Sequence, residues 1–253
     1  MGWTGRSPLG GDESQHDGKG EAGEHARLFG RHKGKRLRAG QQKLMEDLLP
    51  RLRVPLPDRD ALPGAEAIDP SALFAFKPDA VWLEIGYGGG EHLAAQAGAH
   101  PGVGFIGCEF FLNGIAKLLR RIDEEGLENI RLHDRDARDV LSALAPASID
   151  RAFLLFPDPW PKTRHHGRRF IQRESLDGLA RILKPGAQFR VATDIPAYMR
   201  WTLMHLMAHP DFLWDDEAPG DWRVRRADWP GTRYEAKALR EGRTPVYLTF
   251  RRR

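Results

Sequence analysis

Between residues 81 and 207, five short apolar runs alternate with segments of helical spacing, and this alternation leaves the chain few possible folds. The runs are 81–86, 103–109, 129–133, 152–156 and 187–192. Each is short, aliphatic or aromatic, and bounded by breakers, as buried parallel strands are. Helices are expected from near Glu91, over 113–125, around 140–144, over 171–183 and over 196–207. The second carries Ile115, Leu118, Leu119 and Ile122 on one face and stops at Gly126. Lys184-Pro185-Gly186 ends the fourth, and Pro196 stands at the first position of the fifth. Such succession builds a doubly wound, mostly parallel α/β sheet with helices on both faces. Beyond Asp211 no further strand–helix unit is legible. Phe212-Leu213-Trp214 and Val246-Tyr247-Leu248-Thr249-Phe250 read as strands that close the sheet as an antiparallel pair. A chain of 253 residues that is 41% hydrophobic can bury such a core.

The N-terminal part reads differently. Residues 1–26 are rich in Gly, Ser, His, Asp and Glu and nearly free of aliphatics, so a disordered tail is expected. Residues 27–70 are expected to form a basic arm, a short helix with Leu44, Leu48, Leu49 and Leu52 on one side, and a Pro- and Asp-rich linker. Residues 71–253 form the single main domain in this reading. No window approaches 18 apolar residues and no secretory h-region precedes the arm, which predicts a cytoplasmic protein with no membrane partner. Cys108 is the sole cysteine, so neither a disulfide nor a cysteine metal cluster is expected. Net charge is only +4, but residues 27–53 hold nine Lys/Arg against two acids. Residues 160–173 hold five against none. Clusters of that kind point to a polyanion.

The second cluster follows the fourth strand, in Phe156-Pro157-Asp158-Pro159-Trp160-Pro161-Lys162-Thr163-Arg164-His165-His166-Gly167-Arg168-Arg169. Three alternate prolines forbid helix and sheet pairing, so the chain leaves the sheet in a stiff extended turn. Asp158 is thereby held at the carboxyl end of a strand, where open α/β sheets bind ligands. A carboxylate, a flat aromatic and a block of cations suit a nucleobase and its phosphates.

The first strand ends in Glu84-Ile85-Gly86-Tyr87-Gly88-Gly89-Gly90, a bare backbone turn before a helix N-terminus. Its third glycine falls early for a dinucleotide fingerprint. The short form suits a cofactor without a pyrophosphate, such as S-adenosylmethionine. Glu84 could answer that molecule's ammonium, directly or through water. Glu109, 23 residues after Gly86, is placed to accept from ribose hydroxyls. Asp136, after the third strand, is placed for the adenine amine or for a helix cap. Asp194 ends the fifth strand and faces the same crevice or caps the next helix. Gly231-Thr232-Arg233-Tyr234-Glu235 reads as a polar loop.

Taken together, these segments resemble the bacterial tRNA (guanine-N7-)-methyltransferases. The Pro-Asp-Pro-Trp-Pro-Lys-x-Arg-His run carries most of the resemblance. Leu83 to Gly90, Gly107-Cys108-Glu109, Thr193-Asp194 and Thr232 to Glu235 add to it. The resemblance implies a seven-stranded, Rossmann-like methyltransferase sheet with its last strand antiparallel. It implies methyl transfer from S-adenosylmethionine to N7 of a tRNA guanine in the variable loop, position 46. Glu84, Gly86, Gly88, Glu109, Asp136 and Asp158 would contact the cofactor, with Asp158 also catalytic. Lys162, Asp194, Thr232, Arg233, Tyr234 and Glu235 would contact the substrate. Arg164, His165, His166, Gly167, Arg168 and Arg169 would contact RNA. No metal is expected, and the chain would act as a monomer or homodimer. Trp160 either packs on the base or walls the loop. A non-catalytic RNA-binding protein of the same fold and a methyltransferase for another substrate are the rival readings.

Overall fold

The computed structural model describes residue 30 and residues 32–215 and 220–253. The expected tail lies outside them, as does most of the first stretch of the arm.

α1 (Ala39–Asp47) and α2 (Leu49–Leu52) precede the sheet. Then follow β1 (Ala80–Ile85), α3 (Glu91–Ala99), β2 (Val103–Cys108), α4 (Leu112–Glu125), β3 (Ile130–His133) and α5 (Ala137–Ala143). β4 (Ile149–Leu155), α6 (Arg173–Ile182), β5 (Leu183–Thr193), α7 (Pro196–Met207), β6 (Phe212–Trp214), α8 (Arg233–Arg240) and β7 (Val246–Arg252) complete the order. The seven strands form one sheet in the order β3-β2-β1-β4-β5-β7-β6. β1 to β5 pair in parallel, and β7 runs antiparallel to both β5 and β6. The expected doubly wound sheet with an antiparallel last strand is therefore present.

Two of the differences from the sequence reading lie in the C-terminal half. The helix before β5 stops at Ile182, and the strand starts at Leu183, running through Lys184-Pro185-Gly186. A register shift between Ile149 and Arg151 in β4 accommodates this stretch. The second difference is α8, where a loop was expected. Thr232 accepts from the Glu235 amide while Glu235 reaches back to the Thr232 amide, a reciprocal cap that starts the helix.

Side-chain alternation along β1 sends Val81, Leu83 and Ile85 to the core layer that α5, α6 and α7 cover. Trp82 goes to the opposite layer, under α3 and α4, with Phe105, Phe153, Ile115 and Leu118. The N-terminal segment belongs to the same body. Leu49, Leu52 and Val54 are buried in these layers, the Val54 amide donates to Leu132 O at 2.9 Å, and Arg53 pairs with Asp134 at 2.7 Å. The described part of the arm is docked on α4. The Gly34 amide donates to Asn113 Oδ1 at 2.7 Å, and Asn113 Nδ2 donates to Lys35 O at 2.7 Å. Among the described residues no helix is long and apolar enough to cross a membrane.

Candidate active site

The sheet order reverses between β1 and β4, and the loops leaving their carboxyl ends diverge there. After β1, Gly86, Gly88 and Gly90 take φ values of 71°, 58° and 75°. Side chains rarely adopt that region, so the turn needs glycine at these alternate positions. The turn is tied to β2 by one carboxylate. Glu109 Oε2 accepts from the Gly88 amide at 2.7 Å. Its Oε1 accepts from the amides of Phe110 and Phe111 at 2.7 and 2.8 Å. A carboxylate has about four acceptor directions, so one remains for a ligand hydroxyl.

After β4, Phe156 and Trp160 both stand in left-handed backbone, at φ of 50° and 41°, and Asp158 lies between them. Lys162 and Arg164 are exposed, and Thr163–Arg168 makes a 3-10 turn. His165 meets Trp160 edge-on at 5.9 Å, while the Arg168 guanidinium lies over the same indole at 5.0 Å. Trp160 thus has cationic and imidazole neighbours along the cleft wall.

Both loops open into one cleft of about 390 Å³, large enough for a small ligand. Gly86, Gly88, Glu109, Asp136, Asp158, Trp160, Arg168 and Tyr234 all line it. Asp136 also caps α5, accepting from the Arg138 amide at 3.0 Å, which is one of its two sequence readings. Phe110, Phe111, Arg138 and Phe170 line the cleft as well, and nothing in their sequence spacing marked them.

Two cleft carboxyls are held above the ordinary range. Burial raises Glu109, the three amides offset part of that, and the nearby Asp158 charge adds to it. Partial desolvation among the loop walls raises Asp158. A cationic ligand favours their ionised forms, whereas acid removes the charge it would meet. Affinity for such a ligand should fall as pH drops, with a midpoint above the usual carboxylate value of about 4. Calorimetry with S-adenosylmethionine from about pH 8 to about pH 4.5 reads this, and an affinity flat over that range would sink it. For the unliganded fold the sign reverses. A carboxyl raised on folding favours the fold in acid and costs stability as pH climbs from its unfolded value through its folded one.

Several expected site residues lie away from the cleft. Glu84 is 3% exposed and follows the even positions of β1 to the α3 side, where its Oε2 lies 2.7 Å from His92 Nδ1. Asp194 accepts from Arg243 Nε at 2.6 Å and does not cap α7, whose cap residue is Ile195. Thr232 caps α8, and Glu235 turns inward to Arg225 Nε at 3.0 Å and the Tyr247 hydroxyl at 2.6 Å. Arg233 faces Glu91 at 3.6 Å and leaves Tyr234 to reach the cleft. Arg169 is 2% exposed and points into the loop, away from the surface where an RNA backbone would lie.

The cleft suits S-adenosylmethionine in the chemistry of its donors and in its shape. Three carboxylates, Glu109, Asp136 and Asp158, line it for a cationic, hydroxyl-bearing ligand, and the space that a side chain at Gly86 would occupy is open to 4 Å. A methyltransferase family model matches residues 78–248. A tRNA (guanine-N(7)-)-methyltransferase of Rhodospirillum rubrum is 56% identical over 91% of this chain and 89% of its own length. That of Roseobacter denitrificans is 53% identical over 89% of this chain and 96% of its own. That of Brucella anthropi is 52% identical over 89% and 94%.

Proposed function

Because the chain belongs to the family of the tRNA (guanine-N(7)-)-methyltransferases, which use S-adenosylmethionine, we propose that the guanine it methylates is position 46 of the tRNA variable loop. The observation that carries the site reading is that Glu109 and Asp158 enter one cleft from opposite sides of the sheet's reversal point. One carboxylate then serves the cofactor and the other the base. A tRNA substrate also supports a cytoplasmic location.

N7 of guanine has a free lone pair and no proton to lose, so the reaction needs no strong base. S-adenosylmethionine supplies a methyl group on a positively charged sulfur. What the protein must provide is alignment at a near-attack separation of about 3–3.5 Å. In this reading the glycine turn admits the cofactor close to the backbone, and Glu109 gives its remaining acceptor direction to the ribose. Asp136 closes the adenine end. Asp158 accepts from a guanine N–H and offsets the positive charge that grows on the base. The base must leave its stack at a cost of a few kcal/mol, which contacts from the cleft walls offset. Lys162 and Arg164, outside the cleft, take phosphates, and Arg168 at the lip sits between the two ligands. Tyr234 closes the glycine side; its ring stands 3.0 Å from where a Cβ at Gly88 would be.

Incubation with labelled S-adenosylmethionine and unmodified tRNA, followed by nucleoside mapping, tests the position. Label is expected as 7-methylguanosine in the variable loop, and a tRNA with adenine at position 46 should stay unlabelled. Label at another nucleotide would overturn the assignment. Cofactor bound without any transfer would favour the non-catalytic reading.

A further inference from the structure

The loop that carries Asp158 is held in an unfavourable shape. Phe156 and Trp160 both have positive φ. Residues of this size avoid that region because Cβ crowds the backbone oxygen, so surrounding contacts must hold them there. On the near side the Phe156 amide donates to Ala192 O at 2.8 Å, fixing the loop to β5. On the far side one buried cation does the holding. Arg169 Nε donates to Pro159 O at 2.9 Å, and its Nη2 donates to Trp160 O at 3.2 Å. The guanidinium lies over the rings of Trp201 and Tyr198 on α7, at 4.7 and 5.6 Å. Trp201 is itself fixed, donating from Nε1 to Ile171 O at 2.7 Å. A planar fork with several fixed N–H directions can grip two successive carbonyls while stacking on an indole. A lysine ammonium cannot do both.

We propose that Arg169 is a positioning residue for methyl transfer, gripping the Pro159 and Trp160 carbonyls so that Asp158 stays in the shared cleft. It is not a phosphate contact. The proposal rests on the reading of Asp158 as the residue that aligns the guanine. Two neighbouring arginines thereby take different roles, since Arg168 faces the cleft and Arg169 supports the wall behind it.

The test compares Arg169→Gln, Arg169→Lys, Asp158→Ala, the double variant Asp158→Ala/Arg169→Gln, and a surface comparator with Lys162 and Arg164 both changed to Gln. Steady-state kinetics, salt-dependent tRNA binding, calorimetry with S-adenosylmethionine and thermal melting are measured on each. Arg169→Gln should lower kcat by about 10²-fold, the size of a roughly 1 Å misplacement. Its KM for tRNA and the salt slope of tRNA affinity should stay at the wild-type value. Arg169→Lys should recover part of kcat. The comparator should flatten the salt slope by about 1.5–2 units, as loss of two phosphate contacts does. In the Asp158→Ala background Arg169→Gln should cost nothing more, because both act through one carboxylate. A wild-type kcat for Arg169→Gln beside an inactive Asp158→Ala overturns the proposal alone. So does a salt slope that drops by about one unit in Arg169→Gln. Full turnover by Asp158→Ala overturns the reading of Asp158 and the proposal with it. Should Arg169→Gln not fold, Trp201→Leu, which removes the ring beneath the guanidinium, carries the same expectations.

Discussion

Asp158→Ala should lose nearly all turnover while still binding S-adenosylmethionine. Loss of one fixed electrostatic partner at a reacting centre costs about 10²–10³-fold in kcat. Here the same residue also orients the base, which places the expected loss at or beyond the upper end. Cofactor binding should survive in part, because the glycine turn is tied to Glu109 and not to Asp158. Asp158→Asn sharpens the test. The amide keeps the size and one acceptor oxygen but lacks the charge. A recovery to within about tenfold of wild type would mean that hydrogen bonding matters more than charge. Single-turnover transfer to tRNA, with calorimetry of the cofactor alongside, reads both quantities. Turnover unchanged in Asp158→Ala would remove the residue from the chemistry.

The second large effect is expected at a residue outside the motifs. Gly114 lies in the first turn of α4, and a Cβ there would stand 2.1 Å from Gly88 O. Alanine gains about 1 kcal/mol of helix propensity over glycine. Overpacking against fixed neighbours costs about 1–3 kcal/mol, and here the neighbour is a backbone carbonyl that cannot rotate aside. α4 cannot retreat either, since Ile115, Leu118 and Leu119 behind it are fully buried. The clash therefore wins, and the glycine turn must move. Gly114→Ala should weaken cofactor binding by about 10–10²-fold, while the melting temperature falls by only a few degrees. Calorimetry and melting separate the two. Full cofactor affinity in Gly114→Ala would show that the turn can shift without consequence for the ligand.

The sequence already held much of the frame. Strand–helix alternation predicted the sheet, and acids at successive strand ends predicted which loops would meet, because both follow from local pattern and chain direction. Glu109, Asp136 and Asp158 do line one cleft. Parity along a strand holds information too. Glu84 shares its face with Trp82, which sends it under α3 to His92. The helix at Arg233–Arg240 carried its own signal in Thr232 and Glu235, three apart in the reciprocal capping pattern. Other features had no local signature. Whether Arg168 or Arg169 turns inward depends on where α7 places Trp201, some thirty residues later. The docking of the arm depends likewise on Asn113, 79 residues from Gly34. Long-range packing decides such cases, and one chain read by itself holds no record of it.

The three alternate prolines of the strand exit have a consequence for which part of a nucleic acid each surface can accept. Between Phe156 and Lys162 they delete three amide hydrogens, leaving Asp158 and Trp160 as the only backbone donors. The main chain of this stretch is therefore poor in hydrogens, and Arg169 behind it takes the carbonyls of Pro159 and Trp160. Phosphate oxygens find little to bind there. In the proposed reading the N1–H and N2 amine edge of guanine would meet the Asp158 carboxylate, and adenine, which presents an acceptor at N1, would fit less well. Base and backbone would thus be sorted by a main chain short of hydrogens working with one carboxylate, with the cations of Lys162 and Arg164 just outside.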